Sequence, residues 1–415
     1  MIQSVRGTKD ILPDTSYIWQ FLESKFRETT AKFCYNELRT PIFEKTEVFK
    51  RSIGDETDIV NKEMYTFEDK GGESLTLRPE ETAALVRAAI QNSLLNQSNI
   101  LRAWYFGPFF RYERPQKGRL RQFHQFGCEC IGSPNPESDA EVIFLASSLF
   151  NAIGIKGTTL LINTLGDAEV RSVYRNKLIE YFSQHKSSLS EDSLRRLETN
   201  PLRILDSKDD GDIEINKDAP KILDCLNPES QAHFDSVLSY LDATGINYTI
   251  SQELVRGLDY YCNTVFEFRN NTSGSQDSIG GGGRYNGLFE SLGGKPSPAV
   301  GFAMGVERLI LTMESLGVLP ASPQQTDAYI ITNNETYLPY SANVATVLRN
   351  KGLIVTSDLF RRSFKSQFKE ANKANARYSI IIGDDEFNSK SVTVKNMQTS
   401  SQENISIDNL SNYQF

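Results

Sequence analysis

The sequence is short of the residues that build metal centres and disulfide scaffolds: 415 residues contain five cysteines and three histidines. Cys34, Cys128, Cys130, Cys225 and Cys262 are scattered and odd in number, which does not suggest a secreted disulfide framework. His124, His185 and His233 form no cluster with zinc-ligand spacing, and Cys128-x-Cys130 has no second pair. That pair reads as one face of a buried strand, and no protein-held metal is expected. No run approaches the roughly 18 apolar residues needed to cross a bilayer, and the first residues lack the apolar core of a secretory signal. A cytoplasmic chain without a membrane partner is expected. Both common phosphate loops, G-x-x-x-x-G-K-[ST] and G-x-G-x-x-G, are also missing.

With 39% hydrophobic and 24% charged residues, the composition is that of an ordinary globular protein of two or three domains. The net charge of −8 does not by itself favour nucleic acid, yet two stretches are strongly basic. Residues 111–121 carry five Arg/Lys against one Glu, and residues 349–377 carry eight against two acids. A solvated face is the alternative reading of each. A polar, proline-containing linker at 318–325 marks the clearest boundary. Beyond it, strand-like runs (328–332, 353–356, 378–382, 391–395) alternate with helical patterns (338–351, 361–376), which predicts a small α/β domain over 326–415. Arg361, Lys365, Lys369 and Lys373 recur every fourth residue and predict one basic helical stripe, opposite Phe364, Phe368 and Ala371. Before the linker, 18–38 reads as a helix, 103–114 and 121–131 as paired strands, and 167–250 as a mostly helical insertion. Segments 265–268, 280–283 and 299–305 read as strands, followed by a helix over 306–316.

The segment Gln122-Phe123-His124-Gln125-Phe126-Gly127-Cys128-Glu129-Cys130 is the most informative. Period two places Phe123, Gln125, Gly127 and Glu129 on one face and His124, Phe126, Cys128 and Cys130 on the other. The second is a packing face. The first offers a ring, an amide and a carboxylate, suited to water or to a ligand. Its neighbour Phe109-Phe110-Arg111-Tyr112-Glu113 sets Arg111 and Glu113 on one face. A hairpin of the two would supply a guanidinium for a phosphate and a ring for a base.

These residues carry a resemblance. Phe110-Arg111-Tyr112-Glu113-Arg114 through Arg121-Gln122-Phe123 resembles motif 2 of class II aminoacyl-tRNA synthetases. The stretch Gly301-Phe302-Ala303-Met304-Gly305-Val306-Glu307-Arg308-Leu309 resembles motif 3, and Asn36-Glu37-Leu38-Arg39-Thr40-Pro41-Ile42-Phe43 resembles motif 1, the dimer element. Within the class, Arg256-Gly257-Leu258-Asp259-Tyr260-Tyr261, Gly281-Gly282-Gly283-Arg284-Tyr285-Asn286-Gly287-Leu288, Arg6-Gly7-Thr8-Lys9-Asp10 and residues 200–208 are similar to the histidyl-tRNA synthetase family. Glu81, where the family has a small or apolar residue, and Asn286, where Asp is commoner, depart from it.

The resemblance implies an antiparallel-sheet catalytic domain over 1–320 with a helical insertion, and an anticodon-binding α/β domain over 326–415. It implies ATP with Mg²⁺, L-histidine and tRNA(His) as ligands, and a homodimer. Arg256 and Arg111 are then the catalytic cations. Glu80, Glu81, Thr82, Arg111, Gln125, Glu129, Arg256, Tyr260 and Tyr261 are implied for histidine, with core packing an alternative for Tyr260. Arg111, Glu113, Arg121, Phe123 and Arg308 are implied for ATP. Gln116, Lys117, Arg119, Arg361, Lys365 and Lys369 are implied for tRNA. A non-catalytic synthetase-like regulatory subunit is the rival reading, but such relatives typically lack the C-terminal domain and the Arg-Gly-Leu-Asp-Tyr-Tyr chemistry. A synthetase for another amino acid would not explain 256–261 and 281–288.

Overall fold

The computed structural model describes every residue except 1, 55, 56, 58, 117, 256–259, 271–277, 324 and 325. The chain forms two compact units, Met1–Pro320 and Ala321–Phe415.

In the first unit the strands are β1 (Asn36–Glu37), β2 (Phe43–Lys45), β3 (Tyr65–Glu68), β4 (Ser74–Leu77), β5 (Leu101–Phe110) and β6 (Gln122–Ile131). They continue as β7 (Thr159–Thr164), β8 (Tyr248–Ile250), β9 (Cys262–Arg269), β10 (Ser278–Arg284) and β11 (Ala299–Gly305). An eight-stranded sheet runs β1-β5-β6-β11-β10-β9-β7-β8, antiparallel except for the parallel edge pairs β1·β5 and β7·β8. A smaller sheet runs β2-β4-β3.

The alternation along β5 and β6 determines what each face of the sheet does. Register pairs Phe109 with Phe123, Gly107 with Gln125, Tyr105 with Gly127 and Ala103 with Glu129. Trp104, Phe126, Cys128 and Cys130 therefore point to the opposite face, where they pack with Leu22 and Phe26 of helix Ser16–Lys32 and Val142, Leu145 and Leu149 of helix Pro136–Ala152. Both cysteines are core residues. At roughly 1.5–3 kcal/mol for each large buried side chain, this face anchors the unit.

Two sequence expectations change in this unit. The first helix ends at Lys32, not near residue 38: Cys34 turns into the left-handed region (φ 61°), and Asn36–Glu37 pairs with β5 instead. The insertion is narrower than 167–250. Helices Ala168–Gln184, Glu191–Thr199 and Asp210–Asn216 surround their own core of Val170, Tyr174, Leu178, Phe182 and Leu197. Helix Pro228–Ala243, however, buries Phe234, Val237 and Leu241 in the main core, and β8 extends the main sheet.

The glycine-rich strand β10 ends in Arg284, which is fully buried. Its guanidinium pairs with Asp139 and donates to Ser138 Oγ at 2.8 Å and to the carbonyls of Ser133 (2.9 Å) and Asn135 (3.1 Å). Burial opposes ionisation of Asp139, but Arg284 and His233 outweigh it and hold the carboxyl below its ordinary range. One arginine thus ties the sheet to the start of helix Pro136–Ala152.

The second unit contains β12 (Ala328–Thr332), β13 (Val355–Ser357), β14 (Tyr378–Ile382), β15 (Ser391–Asn396) and β16 (Gln402–Ser406), ordered β13-β12-β14-β15-β16. Strand β16 was not expected because Gln402-Glu403-Asn404-Ile405-Ser406 buries Ile405 alone. Its second helix begins at Phe364, not Arg361, whose φ is 52°. Arg361 pairs instead with Glu335 at 2.7 Å, so the stripe shrinks to the exposed Lys365, Lys369 and Lys373, opposite buried Gln367 and Ala371.

Arg284→Met is expected to strand Asp139 as a buried charge and to lower unfolding free energy by about 3–5 kcal/mol in urea titrations. A loss below about 1 kcal/mol would show that the pair does not bind the helix to the sheet.

Candidate active site

The inward face of β5, β6, β10 and β11 opens into a cavity of about 280 Å³. Glu129 lies at its inner end, 1% exposed. Thr82 Oγ1 donates to one carboxylate oxygen at 2.8 Å and Tyr285 Oη to the other at 2.6 Å. Room for the carboxylate comes from Gly301, its partner on β11, where a methyl group would overlap Oε2. Gly127 likewise makes space for the Tyr105 hydroxyl. Burial pushes the Glu129 carboxyl up to about 8 against the opposing pull of the Tyr285 and Thr82 hydroxyls. Burial also raises Tyr105, Tyr260 and Tyr285 well above the usual tyrosine range, so all three remain phenols.

Glu80 stands beside this group at the start of helix Thr82–Gln91 and accepts the backbone N–H groups of Thr82 (2.7 Å) and Ala83 (2.9 Å). Burial raises its pKa, opposed by those N–H donors and by Arg111. Toward the mouth, Arg111 Nε donates to the Pro79 carbonyl at 2.9 Å and its guanidinium lies 5.3 Å from the Phe123 ring centre. Glu113 pairs with Arg119 at 3.3 Å. Arg308, in the first turn of helix Val306–Leu316, donates to the Ser278 carbonyl at 3.0 Å. Burial lowers its pKa, and nearby Arg119 adds to that effect. The cavity is therefore polar and carboxylate-bearing at its inner end, with a ring and three guanidiniums toward its opening, which suits a small amine-bearing ligand beside a polyphosphate.

Residues 7–309 match the family described as histidyl-tRNA synthetase, and residues 327–413 match the anticodon binding domain. The chain belongs to the histidyl-tRNA synthetase family. It is 47% identical over 409 residues to a histidine–tRNA ligase of Halothermothrix orenii, covering 99% of this chain and 98% of that one. A Marinomonas histidine–tRNA ligase is 48% identical over 417 residues, again covering 99% and 98%. Among solved structures, apo histidyl-tRNA synthetase of S. aureus superposes with a TM-score of 0.85 at 38% identity, over 100% of this chain and 99% of that one. The chain is an ATP-dependent histidine–tRNA ligase, which activates histidine and transfers it to tRNA(His).

Of the residues singled out in the sequence, Glu80, Thr82, Arg111, Glu113, Arg119, Phe123, Gln125, Glu129, Tyr260, Tyr261 and Arg308 line the ligase cavity together. Glu81 does not. Its carboxylate faces away, bonded to Arg78 (2.8 Å) and the Thr40 hydroxyl (2.8 Å), and burial pushes it up to about 7 despite Arg78. A Glu fits where the family has a small residue because that arginine meets it. Arg121 is also outside the lining: its guanidinium lies 3.9 Å from the Tyr112 ring centre, and its backbone N–H donates to the Gly7 carbonyl at 2.7 Å. Gln116 is exposed and bridges to Arg119 across a turn. Arg256 and Lys117 lie outside the described residues.

Sequence reasoning overlooked Tyr105, Tyr285 and Glu307 as cavity residues. Tyr285 lies within the glycine-rich stretch already noticed, and Tyr105 is two pleats before Phe109. Glu307 left no local signal; it accepts the His124 backbone N–H at 3.0 Å and faces its Nδ1 at 2.9 Å.

Two outcomes follow. Gly301→Ala should displace the Glu129 carboxylate and raise the KM for histidine by roughly tenfold or more in pyrophosphate exchange. The ligand-free protein holds a proton on Glu129 that the unfolded chain releases near the ordinary glutamate pKa. Its contribution is therefore fully present below about pH 4.5 and lost as pH rises through about 8. Glu129→Gln should flatten the fall in thermal stability between those limits, and an unchanged slope would place the titrating group elsewhere.

Proposed function

We propose that Glu129 is the acceptor for an imidazole N–H of histidine, with Tyr261 and Tyr260 completing the ring's enclosure. Glu80, Thr82 and Gln125 then receive the α-ammonium. An enclosed site that bonds both ring nitrogens rejects an isostere lacking one of them, because a buried partner would be left unpaired. The observation that carries this reading is the buried carboxylate with two hydroxyl donors at the inner end of a cavity whose opening holds Arg111 and Phe123.

Adenylate formation brings two anions together, the histidine carboxylate and the α-phosphate of ATP. Fixed cations lower that barrier. Arg111 neutralises the α-phosphate, already oriented by the Pro79 carbonyl and the Phe123 ring. Phe123 stacks the adenine, Glu113 accepts from its amino group and Arg308 holds the γ-phosphate. By resemblance Arg256 stabilises the reacting carboxylate and α-phosphate. By the same resemblance Arg121, whose guanidinium lies against the Tyr112 ring in the ligand-free chain, closes on the phosphates. Among the described residues no group of three or more His, Cys, Asp or Glu side chains is placed to hold a metal. Mg²⁺ would therefore arrive on the triphosphate, whose oxygens supply ligands, and would spread charge over the β- and γ-phosphates.

The acceptor end of tRNA(His) would meet Gln116, Lys117 and Arg119. The anticodon arm would meet the domain over 326–415 through Lys365 and Lys369, while Arg361 is occupied by Glu335. Homodimerisation is supported by exposed Ile42 and Phe43 in the motif 1 stretch and by Phe67 on β3 of the same small sheet. No helix among the described residues is long and apolar enough to cross a membrane, which accords with a cytoplasmic enzyme.

Pyrophosphate exchange with each of the twenty amino acids should respond to histidine alone. Arg111→Ala should lower kcat/KM by roughly 10²–10³, and Arg256→Ala should depress exchange far more than ATP binding. Response to a second amino acid at comparable kcat/KM would refute the Glu129 assignment. Lys365→Ala with Lys369→Ala should weaken tRNA binding in a salt-dependent way and leave exchange intact. Unchanged affinity at low salt would remove that face from the tRNA contact.

A further inference from the structure

Glu307 lines the reaction cavity, yet the protein itself engages both of its carboxylate oxygens. Each accepts the His124 backbone N–H at 3.0 Å, and one of them lies 2.9 Å from His124 Nδ1. The reason is a gap in the sheet. Strand β11 pairs with β6 as far as Gly305 opposite Gln125, then turns into helix Val306–Leu316. His124, the next position along β6, lies beyond the last residue of β11. On its other side it faces Pro108 of β5, whose carbonyl points away from β6 and accepts Arg78 Nε at 3.0 Å. An antiparallel ladder alternates the sides to which successive N–H groups point. The His124 N–H therefore points to the side that β11 has vacated, where a partly buried donor still needs an acceptor. Glu307 supplies what a strand carbonyl would otherwise provide.

The location gives this bond a consequence for the reaction. His124 stands between Phe123 and Gln125, which line the cavity. Its own ring faces the core, edge-on to Trp19 with 4.7 Å between centres and stacked on Phe106 at 6.2 Å. Glu307 immediately precedes Arg308 in the first turn of its helix, where the positive end of the dipole favours a carboxylate. One side chain thus ties the start of β6 to the start of that helix. Gln125 keeps strand partners on both sides, Gly107 and Gly305, whereas Phe123, beyond the end of β11, pairs with Phe109 of β5.

We propose that Glu307 is a positioning residue for ATP, holding Phe123 and Arg308 at the separation that a nucleotide spans from its base to its last phosphate. The inference rests on the reading above in which Phe123 stacks the adenine and Arg308 holds the γ-phosphate. Glu307 acts through the His124 N–H, not by touching the nucleotide. Adenylate formation needs the α-phosphorus in line with the attacking carboxylate, so loosening either end of ATP displaces the reacting atom. Histidine is spared, because Glu129 sits where β6 is paired on both sides, with Ala103 and Gly301.

The test compares full-length variants by pyrophosphate exchange and by calorimetric titration with histidine alone. Glu307→Ala should raise the KM for ATP by about tenfold or more and lower kcat, leaving histidine affinity unchanged. Glu307→Gln is the rescue: its amide oxygen can accept the N–H, and its NH2 can donate to Nδ1 of the other His124 tautomer. It should recover most of the lost ATP affinity. Glu307→Asp keeps the charge but falls a methylene short, and should stay impaired. Phe123→Ala and Arg308→Ala examine the underlying reading, and each should raise the KM for ATP. If neither does, that reading and this inference fall together. If both do while Glu307→Ala leaves the KM for ATP unaltered, the inference alone falls. It falls also if the Asp variant outperforms the Gln variant, which would make charge the active property, or if histidine affinity drops in parallel with that for ATP.

Discussion

A carboxylate with 1% exposure in the middle of a β-sheet is the constraint around which the catalytic unit is arranged. Removing an ionised group from water costs several kcal/mol after relaxation, and hydrogen bonds alone offset part of it. Glu129 draws its two donors from opposite directions, Thr82 at the start of a helix and Tyr285 just beyond β10. Those donors are 47 and 156 residues away in the chain. The sheet order β6-β11-β10 is what brings them within reach, and Gly301 on the intervening strand leaves the space they share. Fold and site are consequently one problem: a change in the register of β11 would replace the glycine with a side chain and close the cavity.

The same sheet separates the chemistry from the scaffold. The face bearing Trp104, Phe126 and Cys128 is dry and packed, while the face bearing Tyr105, Gln125 and Glu129 is concave and polar. Arg284 belongs to neither surface. It secures the end of β10 to the helix carrying Asp139, and so indirectly steadies Tyr285, the next residue. Its presence in the glycine-rich stretch shows that such a motif combines two duties, an arginine for architecture and a tyrosine for the site.

How much of this was legible in the sequence depended on the range of the signal. Period-two alternation identified the inward residues of β6 because that rule acts between neighbours. The basic stretch 361–373 was misread at its start because the spacing of four was complete while the helix was not: Asp358 Oδ2 accepts the N–H groups of Phe360 (3.1 Å) and Arg362 (2.8 Å), holding a turn where the pattern suggested helix. Likewise, 228–250 is as helical as the true insertion, and only its packing partners, Phe234 and Val237 against the main core, reveal that it belongs to the sheet. Glu81 and Arg121 adjoin cavity-lining residues in the chain but do not line the cavity themselves. Their partners, Arg78 and Tyr112, were visible in the chain, but the directions of those side chains were not.

Three buried glutamates near one cavity show how compensation can divide labour. Glu80 is bonded by backbone N–H groups whose dipoles are fixed, and Glu81 by a full positive charge on Arg78. Glu129 has neutral hydroxyls only. Burial raises both Glu129 and Glu81 above the ordinary carboxylate range, and only Glu81 has a cation opposing it directly. The group with the weakest internal compensation gains most from a donor arriving with the substrate, because that donor supplies what the protein withholds. A cationic partner in place of Tyr285 would stabilise the empty site and leave less interaction for the ligand. On the proposed reading, an under-compensated Glu129 is the physical basis on which an imidazole N–H would be selected, and the strong cations of this cavity would be kept for phosphate.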